Sequence, residues 1–333
     1  MKAWFIRRYG GPEVLELGNV PEPAVGSHDV LVAIRAASVN PIDWKTRRGD
    51  TKRILKHDFP FVLGNDLSGV VEQTGAAVSR FSVGDEVFGR PNKSRIGTFA
   101  ERIAVNADEI ALKPKRCNHA AAASIPLAGL TAWQALTEAA PVLPGHKVLI
   151  QAGAGGVGTL AIQLAKHLGA YVATTASAPK HELVRSLGAD QPIDYRSEDF
   201  SRILTGYDMV LDATGGETLH RAFSVLRPGG TVVGITGPPD ADFAREWNLG
   251  PLARIAVYFM GRSVQRRARR AQCRYKFLLM RSSGSQLEEI CRLVDDNVIE
   301  PVLDRVFPFR ETDAAIRYAE TGRATGKVVI EHP

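Results

Sequence analysis

The feature that most constrains the fold is a glycine-rich hexapeptide in the middle of the chain, residues 153–158 with the sequence GAGGVG. It fits the pattern G-x-G-x-x-G, follows the apolar run 147–151 directly and opens a helix-period stretch at 156–168. In this context the pattern predicts a strand, a tight turn and a helix whose free N–H groups and positive dipole end hold a pyrophosphate. An ordinary glycine-rich strand–helix loop is the alternative. The residues expected at the pyrophosphate are Gly153, Gly155, Gly156, Val157 and Gly158.

Strand and helix patterns alternate through the residues that follow the hexapeptide. Further strands are predicted at 171–175, 191–194, 207–212, 230–235 and 275–280, with helical stretches between them, one of which is 179–187. This alternation predicts an α/β fold with a doubly wound parallel sheet, because parallel strands are joined by helical crossovers.

In the N-terminal part of the chain the hydrophobic pattern has the shorter period that is typical of β-strands. Apolar and exposed positions alternate over 30–35, and turns rich in glycine and proline divide similar short segments before residue 119. These patterns predict a strand-rich domain. The segments 301–306, 311–321 and 327–331 return to strand, helix and strand, and we expect them to rejoin this N-terminal domain.

The end of the predicted strand 171–175 indicates which dinucleotide binds. An NAD site normally has an acidic residue there, about 20 residues beyond the glycines, to accept from the ribose hydroxyls. Residues 174–180 read TTASAPK and contain no acid. Ser177 can donate a hydrogen bond and Lys180 has a charge suited to a 2′-phosphate, whereas a lysine in the first turn of a helix is otherwise unfavourable. We therefore expect NADP(H), with a solvated lysine as the alternative.

Composition excludes several classes of protein. The chain has 333 residues, which predicts about two domains, and 44% hydrophobic with 23% charged residues is the balance of a folded protein. Three widely spaced cysteines argue against a disulfide scaffold and a tetrathiolate zinc site. No apolar run reaches the roughly 18 residues of a membrane span, and the N-terminal sequence MKAWFIRR has no long apolar region. We expect a cytoplasmic protein without a membrane span or secretory signal.

The net charge of +6 comes from one segment, 262–276, which has seven bases and no acid, so the rest of the chain carries −1. Three interpretations are open: a solvated helix flank in an insertion at 238–274, a lid or rim that attracts an anionic substrate or cofactor, or contact with an acidic membrane or nucleic acid. Few aromatic residues interleave with the bases and no RNA-binding pattern accompanies them, so nucleic-acid binding is not predicted.

Six motifs in order give the chain a family resemblance. They are SVNPIDWK at 38–45, LGNDLSGVV at 63–71, GTFAE at 97–101, LAGLTA at 127–132, the glycine hexapeptide, and GKVVI at 326–330. With them the chain resembles, over essentially its whole length, the zinc-independent quinone oxidoreductase and enone reductase branch of the medium-chain dehydrogenase/reductase superfamily. The resemblance implies a partly open GroES-like barrel at 1–121 with 299–333, a Rossmann domain at 122–298, a cleft between them, and a homodimer.

The resemblance also bears on metal binding. In the zinc-dependent relatives a cysteine stands at the position of Asn40, and histidine and glutamate stand at the positions of Asn65 and Asp66. Asparagine is not a usual zinc ligand, and the four-cysteine zinc lobe of those relatives is absent. We therefore expect no metal.

The chemistry that the resemblance implies is hydride transfer from NADPH to a quinone, or to the β-carbon of an enone or alkenal. Negative charge then develops on the carbonyl oxygen and needs a donor. The candidates are the Asn40 amide and the Lys45 ammonium, with Asp43 orienting Lys45 or relaying a proton. The related quinone reductases often have an aromatic hydroxyl near Trp44 and Lys45, which this chain lacks. The alternative is that residues 40–43 are simply a turn.

Further cofactor contacts are implied by position within the family. Thr131, Ile235 and Gly237 match residues that line the nicotinamide and its ribose, although each also suits a turn or a helix start. The remaining candidates are Tyr195, fifteen residues beyond Lys180, which would complete a 2′-phosphate pocket, Arg323 as a further charge, and Lys327 in the closing motif.

The sequence leaves two other functions open. One is an alcohol dehydrogenase with a nonstandard metal site, and the other is a non-catalytic NADPH-binding interaction protein.

Overall fold

A computed structural model describes residues 1–52 and 57–332. The described residues form two compact units, one from 1–130 with 281–332 and one from 131–280. None of the described helices is both long enough and apolar enough to cross a membrane.

Short strands dominate the first part of the chain, and strands alternate with helices in the middle part. The first 134 residues form β1 (Lys2–Ile6), β2 (Leu15–Asn19), β3 (Asp29–Ser38), α1 (Pro41–Arg48), β4 (Phe61–Val62), β5 (Asp66–Thr74), β6 (Glu86–Gly89), β7 (Arg102–Asn106), β8 (Ile110–Leu112), α2 (His119–Ala123) and α3 (Pro126–Gln134). The middle of the chain forms β9 (Lys147–Ile150), α4 (Gly156–His167), β10 (Tyr171–Thr175), α5 (His181–Ser186), β11 (Gln191–Ile193), α6 (Phe200–Ile203), β12 (Tyr207–Asp212), α7 (Gly216–Ala222), β13 (Leu226–Gly234), α8 (Ala241–Glu246), α9 (Pro251–Arg270) and β14 (Arg274–Phe277). The last elements are α10 (Gly284–Asp295), β15 (Leu303–Pro308), α11 (Thr312–Glu320) and β16 (Lys327–Glu331).

The strand-rich unit is built around β3. Its larger sheet has the order β15-β16-β3-β5-β6-β8, with β7 also paired to β3, and β2-β1-β4 form a smaller sheet. Val30, Val32 and Ile34 of β3 are buried in the core, as the alternation in the sequence predicts. Strand β16 pairs antiparallel with β3, with Val329 opposite Ser38. The C-terminal segments therefore belong to the same compact unit as the N-terminal strands.

The second unit is the predicted doubly wound parallel sheet. Its six strands have the order β11-β10-β9-β12-β13-β14, and each neighbouring pair is parallel. From β9 the chain builds outward to β11 on one side, and from β12 it builds outward to β14 on the other. The strand order therefore reverses between β9 and β12, which is where ligands bind in folds of this class.

The boundaries between the units differ from the expected ones. The sequence places them at 121/122 and 298/299, whereas the compact units change at 130/131 and 280/281. The reason at the second boundary is that α10 packs on the strand-rich unit. The carbonyl of Ile110 lies so close to Gly284 that a Cβ there would overlap it, and the Arg116 backbone N–H donates to Asp295 Oδ1 at 3.2 Å.

Candidate functional site

The chain passes from β3 into α1 at Asn40, and this junction positions the first set of candidate residues. The Asn40 backbone N–H donates to Asp43 Oδ2 at 2.7 Å, so Asp43, the third residue of the helix, caps its start. Pro41 takes the first helical position, where its missing N–H costs nothing. Residues 40–43 are thus the beginning of a helix and not merely a turn.

Sheet pairing brings further polar side chains to this junction. Ser38, the last residue of β3, is opposite Asp66 at the start of β5 on one side and Val329 of β16 on the other. Lys327, two residues before Val329, therefore reaches the same end of β3. We call the group at this junction the buried polar cluster; its members are Asn40, Asp43, Asn65, Asp66, Arg90 and Lys327, all less than 9% exposed.

The Lys327 ammonium lies at the centre of one half of the cluster. It donates to Asn40 Oδ1 at 2.5 Å, to the Val39 carbonyl at 3.2 Å and to Asp66 Oδ2 at 3.3 Å. Asn40 Nδ2 in turn donates to Asp66 Oδ2 at 2.7 Å and to the Ser38 carbonyl at 3.3 Å. Both amide hydrogens of Asn40 are therefore engaged within the protein, and the side chain fixes Lys327 and Asp66 relative to each other.

The other half of the cluster centres on Asp43. Its Oδ1 accepts from Asn65 Nδ2 at 2.7 Å, and Asn65 Oδ1 accepts from Arg90 Nη2 at 3.2 Å. Burial raises the pKa of Asp43 to about 7 although these hydrogen bonds oppose the shift. Burial also lowers the pKa of the Arg90 guanidinium, whose Nε is buried without a partner among the described residues.

Asp43 does not orient Lys45, which corrects that part of the expected arrangement. Residues two apart on a helix point to different sides. The Asp43 carboxylate instead accepts hydrogen bonds from the Asn40 backbone N–H and from Asn65 Nδ2. The Lys45 side chain is half-buried and makes no hydrogen bond or ion pair with the residues that the structure describes.

The cluster contains a cation and few metal ligands. Within residues 1–52 and 57–332 there is no group of three or more His, Cys, Asp or Glu side chains that could hold a metal ion. At the positions that bind zinc in the zinc-dependent relatives, the oxygens of Asn40 and Asp66 instead accept from the Lys327 ammonium.

The glycine hexapeptide forms the turn between β9 and α4. Gly155 is the N-cap and has no side chain to accept from the first N–H groups of α4. A Cβ at Gly153 would overlap the Thr174 hydroxyl, and one at Gly158 would overlap the Ala152 carbonyl. Only glycine therefore lets the turn approach β10 and the helix approach the turn, and the exposed N–H groups fit a pyrophosphate.

Two polar residues at the reversal of strand order were missed by the sequence reasoning. Gln151 follows β9 and Thr214 follows β12, and the Thr214 hydroxyl donates to Gln151 Oε1 at 2.6 Å. The Nε2 of Gln151 is buried without a hydrogen-bond partner among the described residues. Such a donor costs about 1–3 kcal/mol when it stays unpaired, so it fits an acceptor on a bound dinucleotide. Gln151 ends the apolar run 147–151 and Thr214 lies two residues beyond the predicted strand 207–212, so their positions at strand ends could have identified both residues.

Two of the residues expected at a 2′-phosphate, Ser177 and Tyr195, follow the neighbouring strands β10 and β11. Thr175 pairs with Ile193, and Ser177 and Tyr195 each lie two residues beyond that pair. Lys180 ends a short 3₁₀ turn, Ala178–Lys180. Helix α5 begins at His181, two residues later than the start of the predicted helix 179–187. The sequence reasoning missed Arg196, whose guanidinium lies 5.8 Å from the centre of the Tyr195 ring.

The remaining candidates are distributed between the two units. Thr131 is buried within α3. The Ile235 backbone N–H donates to the Asp212 carbonyl at 3.0 Å, and Gly237 faces the Tyr275 hydroxyl, with no room for a Cβ. Arg323 is exposed after α11 in the strand-rich unit. Lys327 lies in the buried polar cluster.

The chain matches two protein-family models and is similar to curated proteins over nearly its whole length. Residues 26–115 match the family model for the alcohol dehydrogenase GroES-like domain, and residues 187–330 match the model for the zinc-binding dehydrogenase. The mouse mitochondrial NAD(P)H oxidoreductase RTN4IP1 is 36% identical over 99% of this chain and 89% of its own length. The chloroplastic NADPH-dependent alkenal/one oxidoreductase of Arabidopsis thaliana is 37% identical over 99% of this chain and 79% of its own length.

Among solved structures, the quinone oxidoreductase from Coxiella burnetii superposes with a TM-score of 0.85 and 34% identity, over 99% of both chains. The resemblance inferred from the six motifs agrees with the two family models, with the relatives that match over nearly the whole chain, and with this structure. The chain therefore belongs to the medium-chain dehydrogenase/reductase superfamily, with the quinone oxidoreductases and alkenal/one oxidoreductases.

Proposed function

We propose that this protein is an NADPH-dependent reductase of quinones and of α,β-unsaturated carbonyl compounds, that is, enones and alkenals. The observation that carries the proposal is the combination, in one chain, of a dinucleotide turn at Gly153–Gly158 and a buried Lys327 ammonium bound by Asn40 and Asp66. The names of the Arabidopsis and Coxiella burnetii relatives support the reaction and the cofactor.

NADPH supplies the hydride. The protein binds NADPH at its pyrophosphate and at its 2′-phosphate. The N-terminal turn of α4 and the Gln151 Nε2 bind the pyrophosphate region, since both present donors without partners at the carboxyl edge of the sheet. Ser177, Lys180 and Tyr195 bind the 2′-phosphate, and Arg196 adds a charge at that edge. Thr131, Ile235 and Gly237 line the nicotinamide and its ribose, and Arg323 supplies a further charge.

The Lys45 ammonium is the proposed donor to the substrate carbonyl oxygen, on which negative charge grows as the carbon accepts the hydride. It is half-buried and uncommitted among the described residues. Asn40 acts as a positioning residue, because both of its amide hydrogens are used to fix Asp66 and the Ser38 carbonyl. Asp43 holds or releases a proton near neutral pH, since burial brings the pKa of its carboxyl to about 7.

The enzyme works without zinc. The Lys327 ammonium already neutralises Asp66, so a zinc ion between Asn40 and Asp66 would be repelled by this ammonium. Metal analysis of the purified protein tests this point; stoichiometric zinc whose removal abolishes activity would favour an alcohol dehydrogenase with a nonstandard metal site.

The assembly is a homodimer. Strand β14 ends the six-stranded sheet, and its outer edge has no partner strand among the described residues, which is the position where a second copy can extend a sheet. Sedimentation velocity measures the mass. A cytoplasmic location belongs to the same proposal, although the named relatives from mouse and Arabidopsis are mitochondrial and chloroplastic.

A substrate panel tests the reaction. Benzoquinones, 2-alkenals and cyclic enones are incubated with NADPH, with NADH in parallel, and the loss of reduced-nicotinamide absorbance is followed. We expect turnover with at least one of these acceptor classes and a preference for NADPH. Tight NADPH binding without turnover across the panel would instead identify a non-catalytic binding protein.

A further inference from the structure

Helix α9 is attached to its unit by one narrow stripe. Of its 20 residues only Val257, Gly261, Val264 and Ala268 are buried. Their spacing of three and four residues places them on one side of the helix. Apart from the partly buried Gln265, every other residue of α9 is exposed.

The first half of the outward side is apolar. At about 100° per residue, Leu252, Ile255 and Phe259 lie opposite the buried stripe, and they are 84%, 55% and 61% exposed. Tyr258 and Met260 beside them are exposed as well. A single exposed apolar residue is ordinary, whereas a contiguous group of this kind marks an interaction surface.

The second half of the same side is basic. Arg262, Arg266 and Arg270 continue the line of Leu252, Ile255 and Phe259 along the helix. Three more exposed arginines accompany them, and the six form what we call the arginine group: Arg262, Arg266, Arg267, Arg269, Arg270 and Arg274.

The arginine group lacks counter-charges. Within the described residues none of its six guanidinium groups makes an ion pair or a hydrogen bond, and residues 247–287 include no Asp or Glu. Several exposed arginines elsewhere are paired, as Arg80 is with Glu288, Arg102 with Glu72 and Arg227 with Asp208. Arg8, Arg116 and Arg185 also have no ion pair among the described residues, but they lie singly along the chain. The concentration of six unpaired guanidinium groups between residues 262 and 274 is therefore particular, within the described residues, to α9 and the start of β14.

A cavity beside α9 extends this basic surface. It has a volume of about 720 Å³, and Arg262, Arg266, Arg269 and Arg274 line it. Its two carboxylates are already engaged: Asp240 accepts from backbone N–H groups at 2.8 Å, and Asp242 pairs with Arg245. The arginines of the cavity therefore remain available for an anionic group.

Neither a second copy nor a soluble polyanion matches both halves of α9. Pairing α9 with the same helix of another copy would cover the apolar half of each helix but would leave both arginine groups without counter-charges, because residues 247–287 include no acid. A nucleic acid would neutralise the arginines and leave Leu252, Ile255 and Phe259 in water. An acidic bilayer satisfies both halves, since apolar side chains enter the headgroup–acyl boundary and arginines bind lipid phosphates.

We propose that α9 is a membrane-surface helix that docks the protein on bilayers containing acidic phospholipids. Leu252, Ile255 and Phe259 enter the interface, and the arginine group binds the phosphates around them. The helix lies in the plane of the interface and does not cross the bilayer, because its basic half and its buried stripe both prevent insertion.

Vesicle flotation with the full chain tests the proposal. One set of vesicles is pure phosphatidylcholine and the other includes 30 mol% phosphatidylglycerol, a proportion on the order of that in acidic biological membranes. We expect flotation with the acidic vesicles only, and its reduction as salt is raised from about 0.1 to 1 M, because salt screens the phosphates.

Two variants separate the halves of the helix. Arg262→Gln/Arg266→Gln/Arg270→Gln should raise the lipid concentration for half-binding by on the order of 100-fold, since each basic residue near an acidic surface contributes about 1 kcal/mol. Leu252→Ser/Ile255→Ser/Phe259→Ser should reduce binding even at low salt, where the charges still act. The matched control, Arg202→Gln/Arg292→Gln/Arg317→Gln, removes three exposed arginines from other helices and should float like the parent protein.

Folding of each variant is checked by NADPH binding, which uses none of these residues. Equal flotation of the parent and the α9 variants, or no flotation with acidic vesicles, overturns the proposal. So does a dimer in sedimentation velocity that the Leu252→Ser/Ile255→Ser/Phe259→Ser variant dissociates, because this result assigns the apolar face to a second copy.

Discussion

The Lys327 ammonium lies 2.5 Å from the side-chain oxygen of Asn40, although 287 residues separate the two along the chain. The contact joins the last strand of the strand-rich unit to the start of α1, and Asp66 completes it from a third segment. Three separate parts of the sequence thus share one buried positive charge.

Loss of that charge should destabilise the protein. Lys327→Met leaves Asp66 buried without its cation, and breaking a buried ion pair in this way costs about 3–5 kcal/mol. Urea unfolding measures the loss. The control Lys166→Met breaks the partly exposed pair with Asp190 and should cost less than about 1 kcal/mol. Equal losses in the two variants would contradict the account of Lys327.

Removal of the Asn40 side chain should lower turnover more than cofactor affinity. In Asn40→Ala the Lys327 ammonium loses its nearest acceptor, and we expect kcat to fall about 10- to 1000-fold, the scale for a disturbed oxyanion site. The KM for NADPH should change little, because the hydrogen bonds of the Asn40 side chain are made to Ser38, Asp66 and Lys327. Asn19→Ala, at an exposed asparagine, is the control. Unchanged kcat in folded Asn40→Ala would restrict Asn40 to shaping the start of α1.

Lys180→Ala should raise the KM for NADPH by roughly 10-fold and leave that for NADH almost unchanged, since one charge-assisted contact to the 2′-phosphate is lost. The kcat should be spared, because the phosphate is remote from the reacting carbon. Lys180→Arg, which keeps the charge, should restore most of the difference. Equal effects on the two cofactors would show that Lys180 does not meet the phosphate, and a preference of the parent enzyme for NADH would exclude the whole 2′-phosphate site.

The buried Asp43 carboxyl should make stability fall with rising pH. Its pKa is raised from 3.8 to about 7 in the folded protein, so between these values the folded state keeps a proton that the unfolded state has lost. Relative to Asp43→Asn, the parent protein should therefore lose up to about 1.4 kcal/mol per pH unit over this interval, and nothing further above it. Unfolding free energies of both proteins from pH 4 to 8 measure this difference. Asp50→Asn, at an exposed aspartate, should match the parent at every pH.

Much of the nucleotide site is readable from the sequence because it is local. The turn Gly153–Gly158 is one continuous segment, and the absence of an acid after β10 is visible within a few residues of Thr175. Ser177 and Tyr195 follow two strands that were themselves predicted, so their proximity needs only the pairing of neighbours in a parallel sheet.

The buried polar cluster is not local, and the contacts of Lys327 with Asn40 and Asp66 were not predicted from the sequence for that reason. Its position depends on β16 pairing with β3, a contact that no periodicity in either segment specifies. Arg90 was missed on similar grounds, since it follows β6 and reaches Asn65 through the pairing of β6 with β5. The compact units change near residue 280 because α10 packs on the strand-rich unit, and the ordinary amphipathic pattern of α10 does not reveal this packing.

Lys327 lies on β16, the last strand of the chain, and this position affects the order in which the two sites form during synthesis. A growing chain has its nucleotide turn complete once α4 is made, more than 150 residues before the lysine emerges. Until then Asn40 and Asp66 have no cation to hold. The dinucleotide turn can therefore form before the buried polar cluster is complete, and Asn40 and Asp66 receive their shared cation only when β16 is added.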